Sequence, residues 1–286
     1  MAKCEVCFRH CSLSEGQAGF CGARKCVDGK VIAENYGRIT SISLDPIEKK
    51  PLNRFYPGSK IISVGSFGCN LRCPFCQNYE ISWSDQAMEL KQTADVLTPK
   101  QLAELAVRYK SEGNIGIAFT YNEPLIGYEF VRDTAKLVHK ADMKNVLVTN
   151  GTSELWVLKE LAPYIDAMNI DLKGYTERYY NRLLGGDMQS VLRLIKSAVQ
   201  LCHVELTTLI IPNENDSEEE MRALTGWIAD LTDSSGKTIG SEIPLHISRF
   251  FPRYKMTDRS ATDVGLIYRL ADIAREKLKY VYTGNC

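Results

Sequence analysis

The sequence predicts an α/β protein, a partial, open barrel of about six βα units behind a small N-terminal cysteine-rich, metal-binding extension. From Lys60 onward, short β-branched runs alternate with longer amphipathic runs, which is the pattern of parallel strands covered by helices. Seven runs are expected to be strands: Ile61–Gly65, Ile115–Thr120, Asn145–Thr149, Ala167–Leu172, Val204–Ile211, Leu245–Ser248 and Tyr280–Tyr282. A closed barrel needs eight such units, so the smaller number favours an open one.

Helix starts support this alternation. The segment Thr98–Gln101 predicts a capping box with proline at the first helical position. A similar start is expected at Ser217–Glu220, for a helix running to about Asp233, and a weaker one at Ser260–Asp263.

Three segments follow from this reading. Residues 1–28 form a cysteine-rich head with too few apolar residues to build a core, so a metal would have to order it. Residues 29–59 connect the head to the barrel, with a candidate strand pair around Lys30–Ser43 and a proline-rich loop at Asp45–Ser59. Residues 60–286 form the partial barrel.

Composition excludes several classes of protein. The 286 residues carry 35 Lys and Arg against 35 Asp and Glu, which gives no reason to expect a nucleic acid or an anionic membrane as partner. The amino terminus lacks the apolar core of a signal peptide, and no apolar run is long enough to span a bilayer. We therefore expect a soluble, cytoplasmic protein.

The ten cysteines are unevenly distributed. Five of them crowd the first 26 residues, three lie between residues 69 and 76, and Cys202 and Cys286 stand alone. In a reducing cytoplasm such groups indicate metal ligands rather than disulfides.

The second cysteine group forms a short loop directly after the first barrel strand. Its spacing is Cys-x3-Cys-x2-Cys, at Cys69, Cys73 and Cys76. Three thiolates can hold three irons of a [4Fe-4S] cluster and leave the fourth open to a small molecule. Structural zinc and a ferredoxin-like carrier fit less well, because zinc favours paired Cys-x-x-Cys motifs and a ferredoxin loop would supply a fourth cysteine nearby.

The first group offers a complete ligand set of its own. Cys4, Cys7, Cys11 and Cys21 are enough for tetrahedral zinc or for a second iron–sulfur cluster. Free structural thiols are the alternative.

Polar motifs end four other predicted strands: TYNEP at 120–124, VTNG at 148–151, NIDLKG at 169–174 and LHISRF at 245–250. Because the carboxyl ends of parallel strands meet at one edge of a barrel, these motifs should line one pocket.

The cysteine loop, with Phe75 between its last two cysteines and Asn78 just after, resembles the radical S-adenosylmethionine (SAM) superfamily from about Gly29 onward. The resemblance implies a (β/α)6 partial TIM barrel in which SAM chelates the open iron. It also implies one-electron reduction of SAM to methionine and a 5′-deoxyadenosyl radical.

Within that superfamily the chain is similar to the pyruvate formate-lyase activating enzymes. Tyr121–Pro124 matches their Gly-Gly-Glu-Pro segment in Glu-Pro but lacks both glycines, and Val148 stands where they have a cation-binding aspartate. The similarity therefore gives no expectation of a bound monovalent cation. It does imply SAM contacts at Phe75, Asn122, Glu123, Thr149, Asp171, Lys173 and His246.

The head together with TYNEP and PLHISRFFP also resembles the radical SAM member of the AmmeMemoRadiSam system, whose members commonly continue into a Cys-x-x-Cys tail. This chain stops at Gly284-Asn285-Cys286, so such a tail is expected to be either missing or cut, with Cys286 as its remnant in the second case.

The sequence leaves three functions open. One is installation of a glycyl radical on a partner protein. Another is radical modification of a small molecule, together with Memo-like and AMMECR-like proteins. The last is a non-catalytic role as an iron–sulfur carrier or zinc-stabilised module. An enzyme of this kind would need an electron donor such as flavodoxin or ferredoxin.

Overall fold

The computed structural model describes residues 1–286 and contains fourteen strands and eight α-helices. The strands are β1 Ala2–Lys3, β2 Ser12–Leu13, β3 Arg24–Val27, β4 Lys30–Ala33, β5 Arg38–Ile39, β6 Ser41–Pro46, β7 Lys60–Gly65, β8 Asp95–Val96, β9 Asn114–Phe119, β10 Lys144–Thr149, β11 Ala167–Asp171, β12 His203–Ile210, β13 Leu245–Arg249 and β14 Val281–Gly284. The helices are α1 Tyr79–Ser82, α2 Asp85–Thr93, α3 Pro99–Arg108, α4 Tyr128–Lys140, α5 Leu155–Leu161, α6 Met188–Ala198, α7 Glu218–Ala229 and α8 Val264–Arg275.

One eight-stranded sheet organises the molecule, in the order β14-β13-β12-β11-β10-β9-β7-β6. The seven strands from β7 to β14 in this sheet run parallel, and β6 pairs antiparallel with β7 at the edge. These seven are the predicted strands, each end lying within two residues of its expected position. The α/β partial barrel is thereby confirmed.

The predicted helix starts are confirmed at two places and wrong at the third. The Thr98 hydroxyl accepts from the Gln101 amide, and the Gln101 side chain accepts from the Thr98 amide. Ser217 caps α7, but no capping box forms there, because the Glu220 carboxylate accepts from Tyr175 N instead. The helix ends at Ala229 rather than near Asp233, whose carboxylate accepts backbone N–H groups of the following turn. At α8 the cap is Asp263 itself, because aspartate caps as well as serine and accepts here from Leu266 N.

The strand pair expected within Lys30–Ser43 is wrong in its pairing. β4 pairs with β3, and β6 joins the main sheet instead. The turn between β3 and β4 is Asp28–Gly29, and both residues have positive φ, 51° and 72°. An Asp-Gly pair of this conformation favours a two-residue hairpin, so the local sequence carried the signal. The hairpin spans residue 28, the predicted end of the head; the three-segment division remains a prediction.

Buried apolar side chains from both the sheet and its helices form the main core, a cluster of 56 residues that also includes Cys4 and Val6 of the head. The head is therefore packed onto the barrel. Among the helices, none combines the length and the apolar character that crossing a membrane requires.

Candidate active site

Two adjoining cavities lie at the carboxyl ends of the parallel strands. The smaller, about 120 Å³, is bordered by all three cysteines of the cluster loop, Ser66–Asn78. The larger, about 550 Å³, extends along β12, β13 and β14. Four residues line both cavities and form their shared wall: Cys73, Cys76, Asp171 and Lys173.

The three thiols of the cluster loop have the surroundings of an iron–sulfur site. Cys69 Sγ accepts from Leu71 N at 3.5 Å and from Asn150 Nδ2 at 3.8 Å, and Cys76 Sγ lies 3.8 Å from Ser82 Oγ. Burial raises the pKa of the Cys69 and Cys73 thiols, the latter to about 12, so metal binding must displace their protons. Three soft ligands on one loop, two of them hydrogen-bonded through sulfur, fit a [4Fe-4S] cluster.

Asp171 and Lys173 form an ion pair in the shared wall. Lys173 Nζ donates to Asp171 Oδ2 at 2.7 Å, and the two side chains are 18% and 28% exposed. Burial disfavours the charged lysine, but the adjacent carboxylate outweighs it and raises the pKa of Lys173. The ammonium therefore stays charged beside Cys73, where it can pair with an anionic ligand group.

The Asn122 side chain holds the cluster loop in place. Its amide nitrogen donates to Phe67 O at 3.3 Å and Gly68 O at 3.1 Å, while its oxygen accepts from Ser66 N at 3.0 Å. Asn122 also borders the smaller cavity. Its predicted contact with SAM remains a prediction, and the structure gives its amide a scaffolding role.

Glu123, which follows β9, joins the end of that strand to the end of β10. Its buried carboxylate accepts from Thr149 Oγ1 at 2.7 Å, from Asn150 N at 2.7 Å and from Leu125 N at 3.0 Å. Burial raises the pKa of Glu123 to about 7. Glu123 and Thr149 both line the smaller cavity, and their contacts with SAM remain predictions.

His246 lines the larger cavity from β13, and the sequence did not indicate its partner. Its Nε2 lies 2.6 Å from Glu205 Oε2, and its ring stacks on Tyr282 with centroids 5.2 Å apart. Glu205, which is fully buried, also contacts His203 Nε2 and accepts from two backbone amides, of Asn53 and Arg54.

The hydrogen bonds to Glu205 keep it ionised. Burial opposes ionisation, but the bonds from His203 and His246 prevail and lower the pKa of Glu205 to about 2. The signal in the sequence was a glutamate inside the otherwise apolar start of a buried strand.

Phe75 lines the larger cavity between the two cysteines that flank it in sequence, and is 5% exposed. Two further residues that sequence reasoning missed, Ser82 and Asn150, contact the cluster-loop thiols. Asn150 stands in the VTNG motif at the end of β10, and that position was its only signal.

The four predicted head ligands, Cys4, Cys7, Cys11 and Cys21, line one small cavity, defined here as the head site. Burial raises the pKa of Cys7 to about 11. Cys26 does not line this cavity; its thiol faces Glu15 at 3.8 Å. Nowhere do three His, Cys, Asp or Glu side chains converge closely enough to define a single-ion position, in the head or in the cluster loop. The head site's metal remains a prediction.

The chain is similar to known proteins over most of its length. The model of the radical SAM superfamily matches residues 63–225. The uncharacterized protein MJ0808 of Methanocaldococcus jannaschii is 39% identical over 286 residues, covering 99% of this chain and 81% of that protein. The pyruvate formate-lyase-activating enzyme of Clostridium pasteurianum is 24% identical, covering 74% and 89%.

Among solved structures, Streptococcus suis SuiB bound to S-adenosylmethionine shares the fold with a TM-score of 0.58 at 14% identity. The match covers 79% of this chain but about half, 52%, of SuiB. Together with the sequence matches, these findings show that the chain belongs to the radical SAM superfamily, is related to the pyruvate formate-lyase-activating enzymes, and is an enzyme that uses a [4Fe-4S] cluster and SAM.

Proposed function

We propose that Cys69, Cys73 and Cys76 bind the [4Fe-4S] cluster and that the enzyme cleaves SAM reductively, giving a 5′-deoxyadenosyl radical that abstracts hydrogen from a substrate. The observation that carries this proposal is the shared wall, where two cluster-loop cysteines stand beside the Asp171–Lys173 pair. When bound, the cluster supplies the electron and an open iron for SAM.

The shared wall has the chemistry that SAM requires. Lys173 offers a partly buried ammonium to the methionine carboxylate, and Asp171 offers carboxylate oxygens to the ribose hydroxyls. His246 donates Nε2–H to the ionised Glu205, which leaves Nδ1 as an acceptor in its neutral form. Asn122 holds the start of the cluster loop through hydrogen bonds to its backbone, and Glu123 fixes Thr149 and Asn150 at the end of β10.

For the substrate, we favour a glycine of a partner protein, in which the enzyme would install a glycyl radical, with flavodoxin or ferredoxin as electron donor. Its support is the similarity to activating enzymes that extends over 89% of the Clostridium pasteurianum protein. A small-molecule substrate is the second candidate, because the chain is also 31% identical over 163 residues to the GTP 3′,8-cyclase of Peptoclostridium acidaminophilum. Membership of an enzyme family decides against the non-catalytic alternative.

The test is SAM cleavage by the anaerobically reconstituted enzyme with dithionite. The wild type should form 5′-deoxyadenosine, the variant with Cys69, Cys73 and Cys76 all changed to Ala should form none, and Cys202→Ala should behave as wild type. Retention of 5′-deoxyadenosine formation in the triple variant would refute the assignment. Deuterium transfer from a labelled glycine of a candidate protein into 5′-deoxyadenosine then distinguishes the two substrate classes.

A further inference from the structure

We propose that the head site holds a second, redox-active iron–sulfur centre that delivers one electron to the cluster on Cys69, Cys73 and Cys76. The inference rests on the proposed function for the receiving cluster. It assigns to the head site a metal class and a role that distinguish it from structural zinc, which has no redox chemistry.

The head site lies directly against the cluster loop. Asn70, the residue after Cys69, is buried and lines the head cavity beside the four thiols. Its side-chain oxygen accepts from Asn150 Nδ2 at 2.9 Å, the same nitrogen that reaches Cys69 Sγ. Asn70 and Asn150 together therefore link the two sets of cysteines.

The backbone joins the two ligand sets as well. Cys69 N donates to Cys21 O at 3.2 Å. A through-bond path therefore runs from one thiolate to the other along two side chains, two backbone segments and a single hydrogen bond. Gly68 permits this approach, since its φ is +101° and a Cβ there would overlap the Ala23 side chain.

Two arginines between the sites have no acidic partner. Arg9 and Arg72 both stack on Phe20, with guanidinium carbons 3.4 and 4.0 Å from the ring centroid. Arg9 donates to the carbonyls of Asn70 and Gly185, and Arg72 to those of Cys69, Leu71 and Phe20.

Neither arginine forms a salt bridge, whereas Arg24, Arg132 and Arg259 each pair with a carboxylate. Arg9 lines the head cavity and donates to the carbonyl of Asn70, which follows Cys69. Arg72 donates to the carbonyl of Cys69 and to that of Phe20, which precedes Cys21. Desolvated cations require anions nearby. Two thiolate-bound iron–sulfur centres, one in the head site and one on the cluster loop, would supply that negative charge.

The electron accounting is simple. A one-electron donor protein of the flavodoxin or ferredoxin class is oxidised by one electron, which passes through the head site to the cluster loop. The electron is consumed when the bond between the SAM sulfur and C5′ breaks. Methionine keeps the sulfur lone pair, and the 5′-deoxyadenosyl fragment leaves as the radical.

The test begins with the reconstituted wild-type enzyme and needs no variant. Iron, sulfide and zinc are measured per chain, and the dithionite-reduced protein is examined by electron paramagnetic resonance (EPR). About eight irons per chain and a spectrum broadened by two interacting centres are expected, since each cubane holds four irons. One zinc with about four irons, or four irons and free head thiols, would overturn the inference.

Variants then test electron delivery. In Cys4→Ser/Cys7→Ser the iron content should fall by about four and the broadening should disappear. The rate of SAM cleavage with reduced flavodoxin should fall by at least an order of magnitude relative to the rate with dithionite. The matched control is Cys26→Ser, which changes a buried head cysteine outside the site. It should retain the wild-type ratio of the SAM cleavage rate with reduced flavodoxin to the rate with dithionite. Eight irons with an unchanged ratio in the double variant would reject the relay.

Failure of the proposed function gives a different result. The variant lacking Cys69, Cys73 and Cys76 should keep about four irons, those of the head site. If that variant still cleaves SAM, the proposed function is wrong, while its iron content still decides the metal of the head site. If it holds zinc or no metal, the head inference is wrong and the proposed function stands.

Discussion

Individual side chains around the two cavities divide into those that face a ligand and those that fix the backbone. Asp171 and Lys173 belong to the first kind, and their position at a strand end could be predicted from the sequence. Glu205 and Asn150 belong to the second, and their partners are remote in the chain, 41 residues away for His246 and 80 for Asn70. Such pairings depend on strand order, which no local pattern specifies.

Replacing Lys173 with alanine tests a side chain that faces the ligand. The change should weaken SAM binding by about 1.5–3 kcal/mol, because it removes a charge-assisted hydrogen bond in a buried site. Equilibrium binding of SAM to the reconstituted enzyme gives the measurement, and Lys100→Ala, an exposed lysine on α3, is the control. Unaltered affinity in Lys173→Ala, Asp171→Ala and His246→Ala alike would show that SAM binds elsewhere.

Replacing Glu205 with glutamine tests a side chain that fixes the backbone. The free energy of unfolding of the metal-free protein should fall by about 2–4 kcal/mol, since an amide cannot accept from two histidines and two backbone N–H groups together. Chemical denaturation measures it. The control is Glu218→Gln, which removes an exposed ion pair with Arg222 and should change the free energy of unfolding by less than about 0.5 kcal/mol.

The pH dependence of this difference has a defined sign. The pKa of Glu205 is lowered from 4.5 to about 2 on folding, so its contribution is complete above 4.5 and is lost as the pH falls through 2. The difference in the free energy of unfolding between wild type and Glu205→Gln should therefore become smaller as the pH falls below 4.5. A gap that widens on acidification would contradict the ionised state assigned to Glu205.

Among the elements, those with strong local signals were predicted correctly and those that depend on pairing were not. The seven parallel strands and the capping box of α3 follow from periodicity and cap chemistry. β6 was expected to end near Ser43, before a loop at Asp45–Ser59, but it continues to Pro46 because Asp45 and Pro46 still pair with β7. A half-exposed edge strand has weak alternation, so its end could not be predicted. The hairpin of β3 and β4 was missed although Asp28–Gly29 marks its turn.

The cluster loop gives the clearest test at this scale. Gly68→Ala should prevent normal cluster loading, because a Cβ would overlap Ala23 and Ile126 and push the loop away from the head. Gly58→Ala is matched to it, with a φ of +80° but open space around its Cβ, and should cost only the backbone strain of about 1–2 kcal/mol. Iron content and thermal unfolding of both variants distinguish the outcomes. Equal iron loading would show that close packing at Gly68 does not position the cluster.

For the molecule as a whole, the sequence indicated the barrel and the cluster but not how the head docks. Head residues enter the main core, and buried Arg24 donates to both carboxylate oxygens of Glu129 on α4 at 2.8 Å. A segment with so few apolar residues gives no periodic signal for such packing, so its contact with the cluster loop could not be predicted. The structure thus joins two cysteine sites that the sequence presented as separate.

The central claim is that SAM binds the cluster held by Cys69, Cys73 and Cys76. EPR and electron–nuclear double resonance of the reduced enzyme, with SAM labelled at its amino nitrogen and carboxylate, test it most directly. The account predicts that saturating SAM changes the cluster spectrum and that both labels couple to the cluster. Lys173→Ala should require more SAM for the same change. An unchanged spectrum at saturating SAM, with no coupling from either label, would contradict the account.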